Sequence, residues 1–487
     1  MKILESNSGN SVLLAVVKAL TTVSGILSTM IMSHALSLEL YGTYSQTNLI
    51  VTTATNLTAL GLVDAVNYFY NRSCDEQIQK VYINTIMGFQ AITGIIASIL
   101  IVVLSNNLVN YFRNPMLSSF FWLIAFRPLF SNLNVSLQYL QVSIGKAKSV
   151  AIRNAGFALL RVSVYAIAAL VLKDITVILI ALLAFEVTIT GFFGWTFVKE
   201  KFWIEPYRID WSKTKEILEY SIPMGIYVLT NSLCRDIDKM LIGGWHSTDQ
   251  YAVYENCATL LPFDIISASF LTVLIPILTR YLGEKDYIHG RILFKNYLKI
   301  GYYTAFTFTV ACMILSKEMV LFLYGEKYTS GQPVFLLYTI VDMVKFANMS
   351  IVLSASGQTK TLMICSVMSL AVNAGCNILF HHIFGFVGPA IATVFVTVIL
   401  TAVLADMSAR SLETQVWKLI DWGEFLGFVI ELILLGTVCF AIKIMLELRG
   451  ISPIIILCAL GGAYITGIFL LNKGKIAAAM REINALH

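Results

Sequence analysis

The chain has 487 residues, of which 57% are hydrophobic and only 13% are charged, and its mean hydropathy is +0.76. This composition excludes an ordinary soluble globular protein. The formal net charge of +5 gives no reason to expect a nucleic acid as partner, because basic residues that flank membrane spans and meet anionic lipid headgroups account for it.

Fourteen apolar runs follow one another along the chain, each long enough to cross a bilayer, which takes roughly 20 residues. Numbered in chain order, runs 1 to 14 cover about residues 9–36, 45–69, 82–104, 115–137, 151–172, 177–198, 215–243, 250–279, 293–316, 332–355, 361–382, 386–407, 422–443 and 452–471. They are too long, and alternate too little, to be strands of a membrane barrel. Run 1 is also too long for the apolar region of a signal peptide, so we expect it to remain as a helix. The runs predict an all-α polytopic membrane protein with 14 transmembrane helices.

The basic residues between the runs favour every second link. On one side of the predicted membrane the termini and links carry 22 Lys and Arg residues, and on the other side they carry 6. Because cytoplasmic links are the more basic ones, both termini are predicted to be cytoplasmic. That orientation requires an even number of spans, which fourteen satisfies.

Two short motifs occur twice, at nearly the same spacing. Glu39-Leu-Tyr-Gly-Thr-Tyr44 follows run 1 and Asp249-Gln-Tyr-Ala-Val-Tyr254 follows run 7, an offset of 210 residues. Gly145, after run 4, matches Gly357, after run 10, at an offset of 212. Runs 1–6 and 7–12 are therefore predicted to be two copies of one six-helix unit in parallel orientation. Two such lobes indicate an alternating-access transporter, and a rigid scaffold or a channel is the alternative.

This repeat divides the chain into four parts. They are an N-terminal lobe at 1–198, a cytoplasmic link at 199–214, a C-terminal lobe at 215–410, and runs 13 and 14 with a cytoplasmic tail at 411–487.

Charged residues inside the runs are the candidates for function. A charge at mid-bilayer costs about 2.5–3.5 kcal/mol on insertion scales, so these side chains should face protein or water. The basic candidates, a predicted cationic cavity for an anionic cargo, are Lys18, Arg127, Arg161, Arg235, Lys239 and Lys345. The acidic candidates for a coupling-ion site or a gate are Asp64, Glu186, Asp238, Asp264 and Asp342.

Local spacing leaves two interpretations open for several of these residues. One set, spaced i, i+3, i+4, consists of Arg235, Asp238 and Lys239. A second set, spaced i, i+3, consists of Asp342 and Lys345. Residues at these spacings lie on one helix face, so each set can be a structural ion pair or a functional group. In contrast, Lys18 and Arg161 have no acidic residue one turn away, which favours a cavity-facing role. Glu431, in run 13, is predicted to be structural.

No cofactor or metal is expected. The eight cysteines show no metal-binding or redox spacing, and no phosphate-binding loop of the form GxxxxGK[ST] occurs. Transport driven by ATP hydrolysis in this chain is therefore not expected, and an H⁺ or Na⁺ gradient is the remaining active source of energy.

Several short motifs give the chain a family resemblance. They are Glu39-x-Tyr-Gly-x-Tyr44, Ile237-Asp238-Lys239 followed by Tyr251-x-x-Tyr254, Leu323-Tyr-Gly-Glu-Lys-Tyr328, and Leu353-x-Ala-x-Gly357-x-x-Lys360. In their order and spacing, over about residues 9–475, the chain resembles bacterial polysaccharide flippases. These are the O-antigen and exopolysaccharide transporters of the multidrug/oligosaccharidyl-lipid/polysaccharide exporter superfamily.

The resemblance implies two six-helix lobes around a central cavity in the bacterial inner membrane. It implies a polyprenyl-pyrophosphate-linked oligosaccharide as cargo, moved from the cytoplasmic to the periplasmic leaflet by a transporter that is not an enzyme. Besides membrane lipids, glycan polymerase and chain-length proteins are the partners that this function suggests.

Three other functions compete with this interpretation. A multidrug or cation antiporter of the same superfamily should have an acidic or apolar cavity, whereas cations predominate here. A membrane glycan polymerase or ligase needs a large outer loop, and the longest outer link covers only about residues 317–331. A peptidoglycan precursor flippase, a closer relative, stays open.

Overall fold

A computed structural model describes residues 2–72, 75–199, 202–263 and 265–485. Throughout these ranges the regular secondary structure is helical and no β-strand occurs, which confirms the predicted all-α fold. The chain divides into two compact units, with the boundary between Ala252 and Val253. Each unit is described by itself below.

Unit 1 contains ten α-helices and the start of an eleventh. They are α1 (Lys2–Ala35), α2 (Leu38–Ala59), α3 (Leu62–Arg72), α4 (Glu76–Val103), α5 (Ser105–Phe112), α6 (Phe121–Ile124), α7 (Arg127–Ser143), α8 (Ala147–Ala166), α9 (Ile175–Lys199), α10 (Trp211–Trp245) and α11 (Thr248–Cys257). A π-helical turn, Ile167–Leu172, continues α8.

Unit 2 contains the remaining helices. They are α12 (Ile265–Gly283), α13 (Tyr287–Ile314), α14 (Ser316–Tyr324), α15 (Gln332–Val344), α16 (Ile351–Ala355), α17 (Thr359–Phe384), α18 (Gly388–Ser411), α19 (Trp422–Leu448), α20 (Pro453–Ile456) and α21 (Gly462–Ala485). A second π-helical turn, Leu457–Gly461, joins α20 to α21.

Each of the fourteen predicted runs falls on helix, although several runs are broken into two or more pieces. In the described part of the chain, seven helical segments are long and apolar enough to cross a membrane, and the bent pair α13–α14 would make eight. These segments establish a multi-pass membrane protein. The full count of fourteen crossings stays a prediction.

The repeated sequence motifs adopt matching local structures. Gly145 and Gly357 both have a positive φ, at 82° and 73°, which glycine adopts without steric strain. After each glycine the next amide bonds back five residues, from Lys146 to Gln141 and from Gln358 to Leu353, which is the Schellman ending of a helix. The two copies of this motif therefore end their helices in the same way.

Helix α10 packs within unit 1, although the repeat assigns it to the second lobe. Gly225 of α10 lies close to Gly61, which is between the end of α2 and the start of α3. Neither glycine has room for a Cβ atom. Asn56 of α2 donates a hydrogen bond to Ser232 of α10 at 2.6 Å. Farther along the helix, Gly243 lies against the Phe112 ring. The lobe boundaries predicted from the repeat stay a prediction.

Unit 2 is built around α13. Its aromatic side chains Tyr302 and Tyr303 pack against Phe428 of α19 and are almost fully buried. At its end the chain bends by 86° into α14. Beside this bend, Lys443 of α19 forms a buried ion pair with Glu318 of α14 at 2.8 Å. Lys443 is the last residue of predicted run 13, and α19 continues past it to Leu448.

Candidate functional site

Arg127 and Glu186, predicted separately as a cavity cation and a coupling-ion candidate, form an ion pair in unit 1. Arg127 is the first residue of α7 and donates through Nε and Nη2 to Oε1 of Glu186 on α9, at 3.2 and 3.1 Å. Its Nη1 atom donates to Oδ1 of Asn48 on α2 at 3.1 Å. All three nitrogen donors are thus used, so this guanidinium is neutralised and held between three helices.

The backbone at Glu186 is fixed to α7, but the Glu186 carboxylate is not fully hydrogen-bonded. Asn134 of α7 donates to the Glu186 backbone carbonyl at 2.9 Å, and Thr190 donates to the Asn134 side chain at 2.8 Å. The buried Oε2 atom of Glu186 has no hydrogen-bond partner among the described residues. One carboxylate oxygen therefore stays available to a proton, an ion or a polar group.

Arg161 lies at the contact between α1 and α8, here called the α1–α8 seam and defined by Ser24, Gly25, Ala158 and Arg161. Ser24 donates to the Ala158 carbonyl at 2.8 Å and fixes the two helices side by side. Gly25 faces the Arg161 guanidinium, and a Cβ atom built there would lie 3.7 Å from Nη2. The buried Nε atom of Arg161 has no partner, and no acidic side chain in the described part of the chain pairs with this cation.

Lys18 lies seven residues before Gly25 and therefore on the same face of α1, two turns away. Its side chain is exposed. Its backbone carbonyl accepts hydrogen bonds from the hydroxyls of Thr21 and Thr22. Within the described residues it has no acidic partner. Lys18 and Arg161 are thus two uncompensated cations associated with one seam.

Two buried tyrosines bond to each other, and one of them lies near both arginines. The hydroxyls of Tyr44 on α2 and Tyr165 on α8 share a hydrogen bond of 3.0 Å. Arg127 and Arg161 both lie close enough to Tyr165 to interact with it electrostatically. Tyr44 belongs to one of the sequence motifs, but nothing in the sequence points to Tyr165, because a tyrosine in an apolar run gives no local sign of its partner.

Arg153 of α8 also packs inside the protein. Its guanidinium lies 4.1 Å from the centre of the Phe193 ring on α9 and donates to Gln138 on α7 at 2.9 Å. Its Nε and Nη1 atoms are buried without a hydrogen-bond partner in the described structure. Arg153 lies two turns before Arg161, so α8 carries a second cation on the same face.

The predicted residues of α10 adopt two different settings. Arg235 is exposed and donates to the Ser232 hydroxyl of its own helix at 3.4 Å. Asp238 is buried and accepts a hydrogen bond from the Lys239 backbone amide at 2.8 Å. Neither setting decides between a structural and a functional role.

The other predicted residues that the structure describes lie on α3, α15 and α19 or at the end of α15. Buried Asp342, on α15, accepts from the Leu261 amide at 3.0 Å, whereas Lys345 is exposed at the end of that helix. Asp64 is half-buried in the first turn of α3. Asp264 lies outside the described residues. Glu431 pairs with Lys475 at 3.6 Å and accepts from Asn472 at 2.8 Å, which fits its expected structural role.

Comparison with known families identifies the class of this protein. The family model described as polysaccharide biosynthesis protein matches residues 31–333, which is more than half of the chain. The chain therefore belongs to the polysaccharide biosynthesis protein family, in agreement with the resemblance drawn from its motifs.

Individual relatives are more distant. A probable lipid II flippase MurJ from Rickettsia prowazekii (strain Madrid E) is 24% identical over 148 residues, which are 27% of this chain and 28% of that protein. The chain thus matches little more than a quarter of the length of that relative.

Solved structures share the fold over most of the chain. A lipid II flippase MurJ in an inward closed conformation has a TM-score of 0.72 at 14% identity. The match covers 96% of this chain and 100% of the MurJ chain. An inward-facing multidrug resistance MATE family transporter of the MOP superfamily has a TM-score of 0.65 at 13% identity, covering 81% and 94%. A MOP superfamily transporter from Pyrococcus furiosus has a TM-score of 0.54 at 14% identity, covering 83% and 94%.

Proposed function

We propose that this protein is a flippase that moves polyprenyl-pyrophosphate-linked oligosaccharide units from the cytoplasmic to the periplasmic leaflet by alternating access. Membership of the polysaccharide biosynthesis protein family supports a glycan cargo. The similarity to lipid II flippases supports a lipid-linked one. The protein then acts in the bacterial inner membrane, with both termini cytoplasmic, as a transporter and not as an enzyme.

The observation that carries this proposal is the charge of the α1–α8 seam. Lys18 and Arg161 lack an acidic partner among the described residues, whereas Arg127 is neutralised by Glu186. Guanidinium and ammonium groups bind phosphate oxygens through charge-assisted hydrogen bonds. A pyrophosphate supplies the negative charges that the seam lacks.

Coupling to an H⁺ or Na⁺ gradient belongs to the same proposal. Glu186 is the leading candidate, because one of its buried carboxylate oxygens is unpartnered beside Arg127. Protonation of Glu186 would weaken this ion pair and leave Arg127 positively charged. Partnership with glycan polymerase and chain-length proteins would follow from the cargo, which such proteins extend.

The same carboxylate also favours a second candidate function, a cation antiporter of the superfamily. A buried acidic group can exchange a proton for a cationic drug. The two functions differ in their dependence on Arg161, since removal of a cation should not impair the binding of a cationic substrate.

A complementation assay in a strain that lacks this gene tests the proposal. Arg161→Ala and Lys18→Ala should lower the restored surface glycan at least tenfold, because each removes a charge-assisted hydrogen bond of about 1.5–3 kcal/mol. Lys148→Ala is the control, because it removes an exposed cation from α8, the helix that carries Arg161. This variant should restore the surface glycan to the wild-type level.

The deletion strain should accumulate lipid-linked oligosaccharide units. The amount of these units should fall when the wild-type protein is returned. Normal surface glycan in a deletion strain without a redundant transporter would contradict the flippase. Loss of resistance to a cationic dye in that strain would then support the antiporter.

A further inference from the structure

An open cavity of about 890 Å³ lies in unit 1, where α4 meets residues 202–210, which precede α10 and are here called the joining segment. Charge distribution predicts that this end of the unit is cytoplasmic. Two tryptophans line the cavity, and they are among the more exposed large side chains of the chain, Trp203 at 59% and Trp211 at 70%. Neither tryptophan belongs to the candidate site described above.

The joining segment is fixed to α4 and forms a preformed wall. Backbone amides of Glu205 and Asp210 donate to the side chains of Asn84 and Thr85, at 2.8 and 3.0 Å. At Gly88 of α4 the segment approaches so closely that a Cβ atom would have no room. These side chains of α4 satisfy two amides of the segment and hold its backbone against α4.

The charges that line the cavity balance one another. Arg208 pairs with Glu205 at 3.1 Å, and Lys80 and Asp210 add one charge of each sign. Hydrogen bonds from Ser212 hold the pKa of Asp210 below its ordinary value, so Asp210 is ionised and accepts hydrogen bonds at neutral pH. A lining of zero net formal charge, rich in donors and acceptors, suits an uncharged polyhydroxylated ligand better than a bare anion.

The tryptophans supply the apolar part of such a site. The ring of Trp211 stands edge-on to Phe89 with the ring centres 6.0 Å apart, which fixes its orientation. An indole face packs against the C–H face of a sugar ring, while carboxylates and amides pair with the sugar hydroxyls. We propose that this cavity binds the sugar head group of the lipid-linked cargo before the cargo enters the transport path. This inference rests on the proposed function and concerns the sugar of the cargo, whereas the α1–α8 seam is proposed to bind its pyrophosphate.

The rival explanation is that the tryptophans only anchor the protein at the membrane interface, where tryptophan is common. Binding to the full chain in phosphatidylcholine nanodiscs separates the two. The probes are a polyprenyl pyrophosphate that carries a neutral oligosaccharide and the same polyprenyl pyrophosphate without sugar. Trp203→Ala and Trp211→Ala should each weaken binding of the sugar-bearing probe about tenfold, which is about 1.4 kcal/mol, and leave the sugar-free probe unchanged.

Trp417→Ala is the matched control, because Trp417 is 69% exposed in another link on the predicted cytoplasmic side and lies outside the cavity. It should change neither affinity. Equal losses for both probes, a loss in the control as large as in the cavity variants, or no loss at all would overturn the sugar site.

Failure of the proposed function has a different signature. Wild-type protein that binds neither probe would contradict the flippase and the sugar site together. Binding of both probes that depends on Arg161 but not on either cavity tryptophan would leave the flippase standing and overturn only the sugar site.

Discussion

The buried ion pair between Lys443 and Glu318 should make unit 2 sensitive to the loss of either partner. Their side chains are only 9% and 2% exposed, and their charged atoms are 2.8 Å apart. Lys443 also donates to the Ile314 carbonyl at 2.9 Å, at the last residue of α13 before the 86° bend. The pair therefore connects α19 to the place where the chain turns.

Removing one partner leaves a buried charge without compensation, which costs about 3–5 kcal/mol. In a unit of 235 residues, each kcal/mol corresponds to about 2–4 °C in Tm. Glu318→Gln should therefore lower Tm by about 6–20 °C. The double variant Glu318→Leu with Lys443→Met removes both charges and should return close to the wild-type value, because apolar replacement of a buried pair is often neutral.

The assay heats the detergent-solubilised protein and measures the fraction that stays in the monodisperse size-exclusion peak. Glu431→Gln is the matched control, since Glu431 also lies on α19 but pairs with Lys475 at 3.6 Å, with both side chains more than a third exposed. This pair is longer and less buried than the pair of Lys443 and Glu318, so this change should cost less than about 1 kcal/mol. A loss of Tm in Glu318→Gln no larger than in the control would refute the argument.

Two other substitutions test contacts in unit 1 by the same thermal assay. Gly61→Ala should cost more than about 1 kcal/mol, because Gly61 has a φ of 69° and a Cβ atom would overlap the Ser221 carbonyl oxygen. Gly156→Ala, in the open middle of α8, is its control and should be neutral or stabilising, so equal effects would contradict the prediction. Glu186→Ala should cost about 3–5 kcal/mol by leaving buried Arg127 uncompensated, and an unchanged Tm would show that Asn48 alone suffices to hold that cation.

Local patterns were enough to predict most of the secondary structure. An apolar run of bilayer length and a glycine that ends a helix are both properties of neighbouring residues, so all fourteen runs fell on helix and Gly145 and Gly357 adopt the same turn. The helix breaks were harder to foresee. The break at Leu60 and Gly61 lies inside an apolar run, where both residues have a positive φ and α10 packs against the opening.

The candidate site could be predicted only in part. Sequence alone identified the intramembrane charges, because a charged residue in an apolar run is conspicuous and must face protein or water. It could not assign their partners: Arg127 meets Glu186 from 59 residues away, and Lys443 meets Glu318 from another helix. Such pairs depend on the rotation and depth of each helix, which the packing of all its neighbours determines. Tertiary structure therefore decided which cations are neutralised and left Lys18 and Arg161 without an acidic partner in the described chain.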